Sequence, residues 1–244
     1  MIEIDATRNE TKPSRKPLKV GRSAGRKGDA ANGAAKTSLD ERPISQKIYE
    51  FYSPFYDLLF GWIEEPRLRK GIEALDIQEG DLVLDIGVGT GIALPFYPRS
   101  CKVIGLDYSP GMLAKAERKV KRLGLDHVEL QQGDAQNLPF ENDSFDRIFS
   151  SLVISVVADP VRMVQEILRV AKPGAKIVIV NHFRSPHKVL GSFEDAMTPV
   201  TQRLGWRSDI SLDELVKATG LEILEQFQVS RRDLWRVVVA QKPR

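Results

Sequence analysis

Asp85 and Asp107 stand twenty-two residues apart, Asp85 within the short apolar run Val83-Leu-Asp-Ile86 and Asp107 at the end of the run Val103-Ile-Gly-Leu106. Three alternating glycines, Gly87, Gly89 and Gly91, follow the first run. A strand, a glycine turn, a helix and a second strand ending in an acid form the arrangement by which an α/β sheet holds a nucleoside. The glycines bring backbone close to a ligand, and the acid at the second strand's tip can accept ribose hydroxyls. A third segment, Gly133-Asp134-Ala135, follows a third apolar run and can meet the edge of a base.

The glycine spacing is not that of a dinucleotide site, because the third glycine arrives one residue early for G-x-G-x-x-G. No Gly-Lys-Ser/Thr loop for phosphate exists. Asp85 lies where an anionic pyrophosphate would approach, and it suits a cation better. S-adenosylmethionine carries an ammonium and a sulfonium and no phosphate.

These elements need a scaffold. Strand-like and helix-like segments alternate from Leu82 onward. Strands are expected over Leu82–Ile86, Lys102–Asp107, Val128–Gln132, Phe145–Ser150 and Lys176–Asn181. Helices are expected over Pro66–Leu75, after Gly91, and over Gly111–Leu123 and Pro160–Ala171, with Pro173-Gly174 turning into the next strand. Such alternation predicts a mostly parallel sheet with helices on both faces. Lys188–Leu204 reads as a broken helix. Ser211-Leu-Asp-Glu214 is a capping box opening a short helix that Gly220 closes. Leu221–Val229 and Leu234–Gln241 read as an antiparallel hairpin at one sheet edge. The expected fold is therefore a Rossmann-like, seven-stranded α/β sheet. Asp146 opens the fourth strand and is expected to be structural.

Composition sets outer bounds. The 244 residues are 42% hydrophobic with a net charge of +3, enough for one sizeable domain. From Thr11 to Lys27 there are seven basic residues and no acid. Residues 1–43 read as a disordered basic arm, and residues 44–244 as the folded domain. No apolar run near the start marks a signal peptide, and no stretch of about 20 apolar residues marks a spanning helix. One cysteine, Cys101, excludes an internal disulfide and fits a reducing compartment. No His/Cys/Asp cluster has metal spacing, so no metal is expected. The arm lacks interleaved aromatics, so no nucleic-acid partner is expected.

The glycine motif, Asp107-Tyr-Ser-Pro-Gly-Met112, Gly133-Asp134-Ala135, Ser144-Phe-Asp146 and Leu168-Arg-Val-Ala-Lys-Pro-Gly174 together resemble the class I S-adenosylmethionine-dependent methyltransferases. The resemblance spans about residues 44–242. It implies Asp85 near the methionine amine and Gly87, Gly89 and Gly91 as the cofactor loop. It further implies Asp107 on the ribose, Tyr108 and Met112 beside the adenine, and Asp134 and Ala135 at its edge.

Seven of the chain's eighteen aromatics fall between Tyr49 and Trp62. This segment reads as a lid helix that packs on the sheet and presents part of itself to an interface. Tyr56-Asp-Leu-Leu-Phe-Gly61, Gly87–Pro95, Val153–Pro160, Val180-Asn-His-Phe183 and Leu204-Gly-Trp206 are similar to small, soluble bacterial phosphatidylethanolamine N-methyltransferases and to enzymes methylating ornithine lipids. That resemblance implies successive methylation of a membrane aminolipid's head-group amine. It implies a cytoplasmic protein held at the inner membrane face by the basic arm and the aromatic helix. The alternative is a methyltransferase of a soluble or quinone-like small molecule. Tyr52, Tyr56 and His182 are the candidates to orient the amine or act as base, if a base exists. Asn181, Arg184 and Arg207 are the candidates for the rest of the head group.

Overall fold

A computed structural model describes residues 61–184, 207–230 and 233–244. The expected arm, the aromatic segment before Gly61 and the helix over Lys188–Leu204 lie outside the described residues. Seven strands form one sheet: β1 (Leu82–Ile86), β2 (Lys102–Asp107), β3 (Val128–Gln132), β4 (Phe145–Ser151), β5 (Ala171–His182), β6 (Glu222–Phe227) and β7 (Trp235–Gln241). Their spatial order is β3-β2-β1-β4-β5-β7-β6. The first five are parallel, and β7 runs antiparallel between β5 and β6. The chain thus leaves β1 outward to β2 and β3, then returns to β4 on its other side. The reversal opens a crevice above the carboxyl ends of β1 and β4, where such sheets hold ligands.

Among the described residues four helices cover the sheet: α1 (Gly61–Ala74), α2 (Pro110–Leu123), α3 (Pro160–Val170) and α4 (Leu212–Thr219). Leu68 and Ile72 of α1 and Leu113 and Ala116 of α2 pack on Val83, Val103, Phe149 and Val178. Met163 and Ile167 of α3 and Leu215 of α4 pack on Leu84, Ile104, Ile148 and Ile177 of the opposite face. Alternate residues of each central strand therefore feed two separate apolar layers.

The helix ends follow local chemistry. Ser109, Asp159 and Ser211 each accept a backbone N–H three residues ahead, which satisfies an otherwise orphaned donor. Gly124 and Gly220 close α2 and α4 in the left-handed conformation. Asp146 is structural: it accepts the Leu82 N–H at 3.0 Å and pairs with Lys172.

Three expectations need correction. The segment after Gly91 is only a 3-10 turn over Leu94–Phe96, because Pro95 and Pro98 cannot donate to a continuing helix. α1 begins at Gly61, with Pro66 inside it. The lost backbone bond is offset by burial of Leu68, Ile72 and Leu75 and by an Arg67–Asp233 ion pair. Pro173-Gly174 does not separate helix from strand. β5 already pairs at Ala171, and its register slips before Lys176, with Gly174 at φ +75° absorbing the irregularity.

Candidate active site

A cleft of about 480 Å³ opens above the carboxyl ends of β1 to β4. Its floor is the turn after β1. Gly87 has φ +76°, and a Cβ there would lie 2.1 Å from Val153 Cγ2. The loop after β4 therefore closes directly onto this glycine. Gly89, at φ +56°, would meet nothing nearer than 3.9 Å, so its missing side chain leaves room for a ligand.

Asp107 ties the turn to β2. Its two carboxylate oxygens accept the Gly89 and Ser109 N–H groups, each at 2.8 Å. Burial raises its carboxyl above the ordinary range, and those N–H bonds oppose the rise. Tyr108, more than half exposed, and buried Met112 form one wall. Asp134 and Ala135 form another, with Asp134 Oδ1 accepting the Gln136 N–H at 2.8 Å. The remaining wall, Ser151-Leu-Val153 and Val156-Val-Ala158, comes from the segment after β4. Leu152 there adopts φ +61°, a costly conformation for a bulky side chain, held by its N–H bond to the Val180 carbonyl at 2.8 Å.

Asp85 sits beneath this floor rather than in the lining, 2% exposed. Burial pushes its carboxyl up to about 7; the Tyr97 hydroxyl favours the ionised form, and the charge of Asp107 disfavours it. Asp85 Oδ2 is buried with no hydrogen bond of close geometry, and the Tyr97 hydroxyl is buried with it. Gly91 is also behind the lining. A Cβ there would come within 2.8 Å of Leu94 and 3.3 Å of Ala116, so it lets the turn seat against α2.

The expected acceptor residues lie elsewhere. His182 is buried at the tip of β5, paired in register with Trp235. Asn181 is fully buried. It donates to the His182 carbonyl and accepts from Ser155 Oγ. The Arg207 N–H donates to the Ser155 carbonyl at 2.8 Å, while its guanidinium pairs with Asp209. The Arg184 N–H donates to the Ile210 carbonyl. Residues 207–210 thus strap the loop after β4 to the end of β5. They bring Asn181, Arg184 and Arg207 together behind the cleft wall, not into its lining. Tyr52 and Tyr56 are outside the described residues.

Sequence reasoning gave no site role to Thr90, Gln136 or the wall after β4, although Val153–Pro160 is among the segments that carry the family resemblance. An available signal was Val153–Val157, which is too apolar for a solvated loop.

Among the described residues that line the cleft there is no Lys, Arg or His, while Asp107 and Asp134 are present and Asp85 lies below. A pyrophosphate would meet carboxylates there with no cation to receive it. A phosphate-free, positively charged nucleoside fits, and it offers the orphaned Asp85 oxygen a partner. Fold and site define a class I methyltransferase.

The comparisons agree. Residues 84–179 match the model of a methyltransferase domain family. The chain is 39% identical over 176 residues to phosphatidylethanolamine N-methyltransferase of Cereibacter sphaeroides, covering 72% of this chain and 86% of that protein. It is 31% identical over 175 residues to demethylmenaquinone methyltransferase of Renibacterium salmoninarum, covering 69% and 70%. A SAM-dependent methyltransferase of Aquifex aeolicus shares the fold at a TM-score of 0.59 and 23% identity, over 81% of this chain and 98% of that one. The chain belongs to the class I S-adenosylmethionine-dependent methyltransferases. S-adenosylmethionine is its cofactor.

Proposed function

We propose that this enzyme methylates the head-group amine of a membrane aminolipid, phosphatidylethanolamine or an ornithine lipid, in successive transfers. The observation that carries the reading is the 39% identity to a phosphatidylethanolamine N-methyltransferase over 86% of that protein. The chemistry of the cleft supports it. S-adenosylmethionine supplies a methyl group on a cationic sulfur. Asp85, Asp107, Asp134 and the backbone of Gly87 and Gly89 would hold it, with Tyr108, Met112 and Ala135 against the base. Gly91 would act through the packing of that turn.

An amine brings its own lone pair. Its cost is deprotonation, about 4–5 kcal/mol at pH 7 for a group titrating near 10.4. The apolar wall of Leu152, Val153, Val156 and Val157 reduces that cost, because a desolvated site disfavours the ammonium. Holding the pair in line supplies more, up to roughly 7–11 kcal/mol. A dedicated base is therefore unnecessary, although Tyr52, Tyr56 and His182 stay candidates for orienting the amine. Arg184, beside the cleft wall, would serve the anionic part of the head group, with Asn181 and the Asp209-paired Arg207 fixing that region.

No helix among the described residues is long and apolar enough to cross a membrane. In this reading the enzyme works from the cytoplasmic face, where the basic arm contributes up to roughly 1 kcal/mol per Lys or Arg near anionic lipid. A quinol acceptor is the second reading, favoured by the demethylmenaquinone methyltransferase relatives.

The test is transfer of labelled methyl groups from S-adenosylmethionine to vesicles of phosphatidylethanolamine, vesicles of ornithine lipid, and a reduced naphthoquinone. Label in an aminolipid is expected. Label only in the quinol would overturn the proposal.

A further inference from the structure

We propose that Gln136 is the positioning residue for the cofactor's base: its side-chain amide pins one oxygen of Asp134 and so aims the other at the exocyclic amino group of adenine. This rests on the reading above that Asp134 meets the edge of that base.

The partners of the amide fix its direction. Gln136 Oε1 accepts the Asp159 backbone N–H at 2.7 Å. A backbone N–H can only donate, so this end of the amide is the oxygen. The other end is the NH2 group, and it donates to Asp134 Oδ1 at 3.2 Å. The same oxygen accepts the Gln136 backbone N–H at 2.8 Å. Both bonds therefore fall on Oδ1. Asp134 Oδ2 takes no hydrogen bond from a described residue and is not sealed in protein, and Asp134 lines the cleft. The two oxygens share a plane, so pinning one orients its neighbour.

The tie also spans two loops. Asp134 and Gln136 follow β3, whereas Asp159 follows the apolar wall of Val156, Val157 and Ala158 after β4. Asp159 in turn caps α3, and Arg162 Nε donates to the Gln136 carbonyl at 3.2 Å. One side chain thus links a polar edge to an apolar flank of the cleft. Adenine is the flat part of the cofactor, with N–H donors on its edge, and Oδ2 can only accept. A bond from that amino group to a carboxylate is charge-assisted. An acceptor held in place beforehand loses little freedom when the base arrives.

Calorimetry with two ligands tests this: S-adenosylhomocysteine, and its analogue carrying unsubstituted purine. The analogue lacks only the amino group, and neither measurement needs a methyl acceptor. The wild-type protein should prefer the adenine form about tenfold or more. Gln136→Ala should weaken S-adenosylhomocysteine binding about tenfold and change the purine analogue by less than about twofold, which erases most of the preference. Gln136→Glu keeps an oxygen for the Asp159 N–H but turns a second oxygen, not a donor, toward Asp134 Oδ1. It should erase the preference as well. Asp134→Ala should erase it, and adding Gln136→Ala to that variant should change nothing further. The ligand-free Tm of each variant should stay within a few degrees of wild type.

Equal losses on both ligands in Gln136→Ala would assign the residue to packing and overturn the proposal. So would a wild-type preference in Gln136→Glu. Loss of the preference in Asp134→Ala with its retention in Gln136→Ala would sink this proposal alone. Retention in Asp134→Ala would mean that the base does not meet Asp134, and the placement of the cofactor would fail with it.

Discussion

Cofactor binding should release a proton from Asp85. In the ligand-free protein, burial holds this carboxyl up at about 7. A sulfonium and an ammonium arriving nearby favour the ionised form, so the same group must titrate lower in the complex. Binding then draws on the ionised fraction alone. That fraction is about 9% at pH 6 and about 91% at pH 8 for a group titrating at 7. Apparent affinity for S-adenosylhomocysteine, whose ammonium remains, should therefore rise about tenfold from pH 6 to pH 8, or about 1.4 kcal/mol.

Isothermal calorimetry across this range measures the affinity. Repetition in buffers of different ionisation enthalpy counts the protons, and close to one per cofactor is expected at pH 6. Asp85→Asn should flatten the profile and weaken binding at pH 8. Stability should run the other way. Asp85 titrates near 3.9 when unfolded and near 7 when folded, so its contribution is fully present below pH 4 and is lost as pH rises through 7. The full span is about 4 kcal/mol. Asp85→Asn should accordingly be more stable than wild type at pH 8 while binding cofactor worse. A constant affinity between pH 6 and 8, with no proton released, would refute this account.

Tyr97→Phe removes the hydroxyl that favours the Asp85 carboxylate, so the pH midpoint for cofactor binding should move above 7 in the same titration. Gly87→Ala forces a Cβ to within 2.1 Å of Val153 Cγ2; it should lower Tm and abolish S-adenosylhomocysteine binding. Gly89→Ala meets open space, so its cost is roughly 1–2 kcal/mol of left-handed backbone strain, with cofactor affinity falling far more than Tm. Arg67 is paired with the buried acids Glu64 and Asp233 and lies over the Trp235 ring at 4.4 Å. Arg67→Met would strand both carboxylates and should cost about 3–5 kcal/mol in urea unfolding.

Much of this protein could be read locally. The spacing of Asp85, the glycines and Asp107 specified two adjacent strands and the turn between them, because each piece depends on near neighbours and backbone conformation. The Ser211 capping box announced its helix for the same reason. Local reading failed after Gly91, where two prolines outweighed an apolar pattern, and at Ala171, where pairing with Phe145 drew the strand start across Pro173.

What the amino-acid order determined by itself was a sheet with a nucleoside crevice, and the charge that crevice prefers. The folded molecule decided which residues occupy it. Asp85 and Gly91 share a motif with Gly87 and Gly89, yet strand alternation and the seat of α2 put them behind the floor. Asn181 and Arg207 look exposed and polar in one dimension, but the strap over Ser155 turns them away from the lining. The wall after β4 stands beside the glycine turn because β1 and β4, some sixty residues apart in the chain, are hydrogen-bonded neighbours, and no local pattern encodes that pairing.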